Sequence, residues 1–395
     1  MAGTFSNHLQ RLNQLIDSEP NLSLLRLRRQ ARRTPADLQA LRALCLALQA
    51  RGHRVEALER WQEFLRQQSE PPLEALGTLA LDLGALDLAE ECFRRWAAQK
   101  PGAAAPLGWL GIVYAQRGDE EQARRELVHA TELEPQRAEA WYRLGSFLLR
   151  QRDLEAAEKH LRHALELDPT LARAHTNLGY LLDLRGERQA ALREFHKAVQ
   201  LSPGDAEGHF NLGALHAEAH SFDLAIEQFR EGLALAPHSI EGHYNLGAAY
   251  FELRRYDDAI RCFRRALRAQ PGHQEARYYL GLCHVRKGTY DRALQQFEEA
   301  ESEERPPSAR LLYAMAVCHN GLEMPRQAVR LLQQVVDLVP DHAKAYHLLG
   351  VCFDKLGERD RASDAYRRAD LFLTLARARR SAARLERHVA GARVE

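Results

Sequence analysis

One interval governs this chain. The segments AHTNLGYLL, GHFNLGALH and GHYNLGAAY begin at Ala174, Gly208 and Gly242, 34 residues apart each time. Side-chain sizes recur in phase with them: His175, His209 and His243; Asn177, Asn211 and Asn245; Gly179, Gly213 and Gly247; Ala191, Ala225 and Ala259; Phe195, Phe229 and Phe263; Pro203, Pro237 and Pro271. A fixed period of this length specifies an array of one supersecondary unit rather than a compact globule.

The content of the unit follows from spacing. Apolar or small residues fall three and four apart between Ala172 and Leu184, and again between Ala190 and Leu201, which predicts two amphipathic helices. Gly186 between them supplies a left-handed residue to end the first helix, and Glu187 suits the start of the second. Gly179 and Ala191 are small where the helices would cross, and Phe195 is large where a gap would otherwise remain. Pro203, with no backbone N–H to lose, closes the unit and opens the next. One hairpin buries too little apolar surface to stand alone, so stability requires stacking.

These residues resemble the tetratricopeptide repeat (TPR) family, with its bulky residue at position four, Leu-Gly at seven and eight, Ala at twenty, an aromatic at twenty-four, Ala at twenty-seven and Pro at thirty-two. Residues 138–171 match it with Trp141, Leu144, Gly145, Ala157, Leu161, Ala164 and Pro169. The resemblance implies an all-α fold, a right-handed superhelical α-solenoid of about ten TPR helix hairpins with capping helices at both ends. The frame reads 38–69, 70–103, 104–137, 138–171, 172–205, 206–239, 240–273, 274–308, 309–342 and 343–376. Residues 1–37 are expected as an N-terminal helical cap, with an apolar stripe over 5–17 and a second stretch over 22–33. Residues 377–395 are expected as a C-terminal solvating helix and tail, its stripe running through Leu371, Leu375, Ala378, Ala382, Leu385 and Val389. The frame is perturbed at Cys45 and Ala316, which replace the small glycine, and at GluArgProPro 304–307.

Composition narrows the function. A net charge of +1 argues against broad nucleic-acid binding, which needs a basic stripe to neutralise phosphates. The first twenty residues lack a signal-peptide core and no run of 18 apolar residues occurs, so the expected location is cytoplasmic, without membrane insertion. The preponderance of arginine over lysine points to a GC-rich, bacterial genome. The six cysteines read as small buried hydrophobes; Cys283, Cys318 and Cys352 share one repeat position, too far apart for disulfides.

No catalytic, metal or cofactor site is expected. The segments outside the array fall below the ~40 residues at which a domain folds unaided. His216 and His220 lie one helical turn apart in His-Ala-Glu-Ala-His, but His220 stands at an inter-helix turn where other repeats place Gly. The histidines 175, 209 and 243 fall where Trp141 stands in an earlier repeat, which points to packing.

By resemblance, positions two, five, six, nine and thirteen line a concave groove. Position six carries Asn177, Asn211 and Asn245, amides that both donate and accept and so can hold an extended peptide backbone of any sequence. Beside them stand Tyr142, Phe210, Tyr244, Tyr278, Tyr279 and Tyr313, with Tyr180 and Phe251. Glu207, Glu241 and Glu275 recur with Glu139 at position two, favouring a ligand with Lys or Arg, tempered by Arg143 and Arg173. The column is similar to the TPR arm of O-linked N-acetylglucosamine transferase, whose catalytic domain has no counterpart here. The carboxylate clamp that holds Hsp70 and Hsp90 tails is absent, since its positions hold Tyr142, Ser146, Glu207 and Asn211. The leading expectation is a non-catalytic scaffold or adaptor that binds an extended segment of a partner protein. The alternatives are a targeting subunit of a separately encoded enzyme such as a glycosyltransferase, and self-association through the end repeats.

Overall fold

The computed structural model describes residues 20–33, 37–68, 70–300 and 307–391. Every regular element among them is a helix. Pro20–Arg33 comes first; the remaining twenty alternate as first and second helices of ten successive repeats, from Leu38–Gln49 and Arg54–Gln67 to Ala343–Leu356 and Arg359–Gly391. The fold is thus an all-α solenoid. Residues 5–17 and 304–306, singled out above, lie outside the described residues.

The chain divides into two compact units, Met1–Leu212 and Gly213–Glu395. In the first, one continuous core runs from Leu24 and Leu27 through Trp61, Phe93 and Leu127 to Leu161 and Leu181. In the second, one cluster gathers Ala293, Phe297, Leu311, Met315 and Cys318, and another runs from Leu312 and Leu332 to Ala365 and Ala369.

The repeated glycine has the packing role its spacing implies. A Cβ on Gly179 would lie 2.9 Å from the Phe195 ring, on Gly247 2.7 Å from Phe263, and on Gly281 2.4 Å from Phe297. The aromatic at position twenty-four therefore occupies the space that glycine leaves, and Phe263 and Phe297 are fully buried. At Cys45 the hairpin adapts differently: its thiol donates to the Ala57 carbonyl at 3.3 Å, and the Trp61 indole N–H reaches the Leu76 carbonyl at 3.0 Å.

Turns and caps fix the hairpin ends. Gly186 adopts φ +79, and His220 takes the same left-handed conformation at φ 58, as expected of a residue standing in a glycine's place. Asp119 and Asp153 accept from the backbone N–H groups of Gln122 and Ala156 and so cap second helices. His273 and His342 use Nδ1 in the same way for the first helices that follow them.

The last second helix runs unbroken from Arg359 to Gly391. Its buried face passes through Ala362, Ala365 and Ala369, with the Phe372 ring stacked on Tyr346 at 5.5 Å. Leu371 and Leu375, expected in that stripe, are 55% and 43% exposed. The reason is geometric: at ~100° per residue, Leu371 lies about 200° around the helix from Ala369, on its far side.

Candidate peptide-binding site

In the first unit a cleft of about 620 Å³ opens between first helices. The helix Ala138–Arg150 contributes Glu139 and Tyr142, and Ala172–Leu184 contributes Arg173, Thr176 and Asn177. The turn after Leu201 adds Ser202, Gly204 and Asp205, with Glu207 one residue inside the next helix. Asn177 donates from Nδ2 to the Ser146 hydroxyl at 2.6 Å, which orients the amide and leaves its Oδ1 to accept. Burial raises the Tyr142 phenol above its ordinary range. Protein packed around Glu207, and then the charge of Asp205, raise the Glu207 carboxyl too, the signature of a carboxylate lacking a counter-charge. Glu139 is already paired with Arg143 at 3.1 Å.

Five of the expected groove residues, Glu139, Tyr142, Arg173, Asn177 and Glu207, thus meet in one cleft. Asn211 and Phe210 are half-buried, and Asn211 makes no side-chain hydrogen bond among the described residues. Arg143 does not line the cleft: its side chain is 9% exposed and its guanidinium lies 3.9 Å from the centre of the Trp109 ring. Tyr180 also stands apart, 43% exposed.

The second unit brings the remaining aromatics together. Tyr279 stacks on Phe263 at 5.8 Å and meets Tyr244, Phe251 and Tyr278 edge-on at 5.9, 5.6 and 6.0 Å. Arg310 lies 3.7 Å over Tyr278 and pairs with Glu275 at 2.9 Å. Tyr313 packs against His342 instead, at 5.1 Å. Asn245 is half-buried with no side-chain hydrogen bond among the described residues, and Glu241 is exposed.

These features are repeated, and so is a contact that sequence reasoning missed. The position-four side chain reaches back six residues to the carbonyl of the proline closing the previous repeat: Trp141 to Pro135 at 2.8 Å, His175 to Pro169 at 3.0 Å, His243 to Pro237 at 2.9 Å, Arg277 to Pro271 at 2.7 Å. His209 does the same to Pro203 at 3.3 Å. Trp, His and Arg share a ring or fork N–H at similar reach, and that shared donor was the available signal.

The repeat pattern of the tetratricopeptide family matches residues 110–172, 173–240, 244–309 and 322–379, well over half of the sequence. The chain belongs to the tetratricopeptide repeat family. A comparison with curated proteins returned no match. Among solved TPR structures, the Cut9–Hcn1 hetero-tetramer of the APC/C aligns with 79% of this chain and 63% of its own at 18% identity and a TM-score of 0.51, a likeness of fold. YrrB, described as a TPR protein with an unusual peptide-binding site, is 26% identical over 47% of this chain and 96% of its own, TM-score 0.44. PilF of Pseudomonas aeruginosa is 23% identical over 51% and 92%, TM-score 0.46.

Among the described residues no group of three or more His, Cys, Asp or Glu side chains could hold a metal ion, and no helix is long and apolar enough to cross a membrane. All six cysteines are buried and unpaired, and burial pushes the thiols of Cys45, Cys92, Cys283 and Cys318 up to about 12, far from the thiolate that reactivity needs.

The histidines do set a pH limit. Burial holds His160, His243, His284 and His319 below the ordinary value of 6.5. Their folded pKa values are depressed, so the unfolded chain takes up protons first. Their contribution is complete above 6.5 and falls as the pH drops from there toward the folded values. Glu134 and Glu194, lowered by the Ala104 N–H and by His175 respectively, lose theirs only in the acid range below 4.5. The thermal midpoint is therefore expected to decline already between pH 7 and 5.5, and less steeply in His243→Gln; a flat profile over that range would contradict this.

Proposed function

We propose that this TPR protein is a non-catalytic scaffold whose first-unit cleft holds an extended segment of a partner protein. The observation that carries this reading is the oriented Asn177 amide lining the cleft. Its open Oδ1 can accept a peptide N–H, and Asp205 and Glu207, outnumbering Arg173, stand ready for a Lys or Arg side chain. The recurrence of Asn177, Asn211 and Asn245 at one repeat position supports backbone capture along an extended segment. In the second unit, the open Asn245 amide and the Tyr244–Tyr279 cluster would take an apolar side chain at low entropy cost.

The test is fluorescence anisotropy with a labelled, unstructured ten-residue peptide alternating Lys and Ser, beside its Glu–Ser counterpart. The Lys peptide is expected to bind, and Asn177→Ala combined with Glu207→Gln to weaken it at least tenfold at unchanged helicity. Equal binding of both peptides, or indifference to the double substitution, would remove the cleft from this role.

A further inference from the structure

A second cavity, of about 440 Å³, lies in the second unit, away from the asparagine and tyrosine positions. Arg264, Leu267 and Arg268 line it from the second helix Tyr256–Ala269. Arg277, Leu280 and His284 come from the following first helix, Gln274–Arg286. Arg292, Gln295 and Gln296 complete it from Tyr290–Ala300. Four guanidinium side chains from three helices of two successive repeats therefore surround one space.

Their charges are mostly uncompensated. Arg277 is neutralised by Glu299, which also accepts from Gln295 at 3.1 Å. Arg264, Arg268 and Arg292 form no ion pair or hydrogen bond among the described residues. By contrast Arg261, on the same helix, and Arg255, at its N-cap, are both paired with Asp258. The buried His284, whose Nδ1 lies 2.9 Å from the Thr289 hydroxyl, feels the convergence: after burial itself, Arg264, Arg292 and Lys287 press it toward the neutral form, against Asp291.

We propose that this cavity binds a compact, multiply charged phosphoryl anion. A single carboxylate would leave two of the three free charges facing each other. A diphosphate carries enough charge to balance them and offers oxygens to several guanidinium forks at once. The volume lies within the range of small-ligand sites. Arg264 and Arg268, four apart on one helix face, would grip the anion from one side and Arg292 from the other, with the neutral His284 as a further hydrogen-bonding group on the floor.

Isothermal titration with inorganic pyrophosphate at about 0.1 M salt tests the site, since nonspecific attraction is screened over ~10 Å there. We expect one-to-one binding, weakened at least tenfold in Arg264→Ala/Arg268→Ala and in Arg292→Ala, and partly retained in Arg264→Lys/Arg268→Lys. Arg367→Ala, which removes one charge in another repeat as Arg292→Ala does here, should leave it unchanged. Arg264, Arg268 and Arg292 are exposed, so circular dichroism should show each variant folded. Absence of binding at millimolar pyrophosphate, equal binding of succinate, indifference to the arginine changes, or a response to a phosphoserine peptide but not to pyrophosphate would each overturn the proposal.

Discussion

Gly247→Ala is expected to destabilise the array around residues 240–273, and Phe263→Leu is expected to recover most of the loss. Two effects of the alanine oppose each other. In a helix interior it improves on glycine by about 1 kcal/mol. Its Cβ would, however, sit 2.7 Å from the Phe263 ring edge, closer than carbon atoms approach. The ring cannot simply retreat, because Tyr279 stacks on it at 5.8 Å and Tyr244 lies at 6.0 Å. Overpacking costs about 1 to 3 kcal/mol, and with the neighbours this tight the strain wins by ~1 to 2 kcal/mol.

The chain already contains the compensated pair. Where Ala316 replaces the glycine, the facing residue is Leu332, and both are fully buried in one cluster. The double variant should thus show a favourable coupling of about 1 kcal/mol or more in a double-mutant cycle. Phe263→Ala, which opens a cavity, should cost ~3 to 5 kcal/mol and not be rescued. Each repeat rests mainly on its neighbours, so hydrogen exchange should rise over 240–286 before it rises elsewhere. Additive losses, or a Gly247→Ala variant more stable than the parent, would show that the glycine is not there for the ring.

That pair also shows what was legible in the letters. Gly and Phe sixteen residues apart, repeated in register, announce both the helix crossing and its filler, and His220 in a glycine's place announces a strained turn. Periodicity reports size at each position, so it finds packing. It says little about which polar atom meets which. The reach of Trp141, His175 and Arg277 to a proline carbonyl was hidden because three dissimilar side chains share only a donor. The basic cavity was hidden for another reason: Arg264, Arg268, Arg277 and Arg292 belong to three helices, and in the sequence each resembles an ordinary solvated arginine. The asparagine column was visible as a column, whereas the Ser146 contact that orients Asn177 depends on a neighbour 31 residues away.

Arg143 is where composition misleads most, and replacing it separates charge from volume. It stands at position six, where the next repeats carry Asn177 and Asn211, yet its side chain is 9% exposed. Nη1 is buried without an acceptor, and burial lowers the guanidinium pKa, with Glu139 the main opposing influence. In its favour are the Trp109 face at 3.9 Å and one charge-assisted bond from Nε to Glu139 at 3.1 Å. A desolvated cation–π contact contributes about 2 kcal/mol. Removing an ion from water costs several kcal/mol, which a single bond to a partly exposed carboxylate does not offset. Arg143→Met keeps the stem over Trp109 and discards the charge, so it is expected to raise the unfolding midpoint, by ~1 kcal/mol or more in stability. Arg143→Ala empties the space beside Gly108, where the guanidinium now lies 3.2 Å from a would-be Cβ, and should lower it. If methionine proved as damaging as alanine, the charge itself would be stabilising. If the methionine variant were instead more stable but bound the Lys peptide less well, the buried cation would be there for the cleft, holding Glu139 in place at the expense of the core.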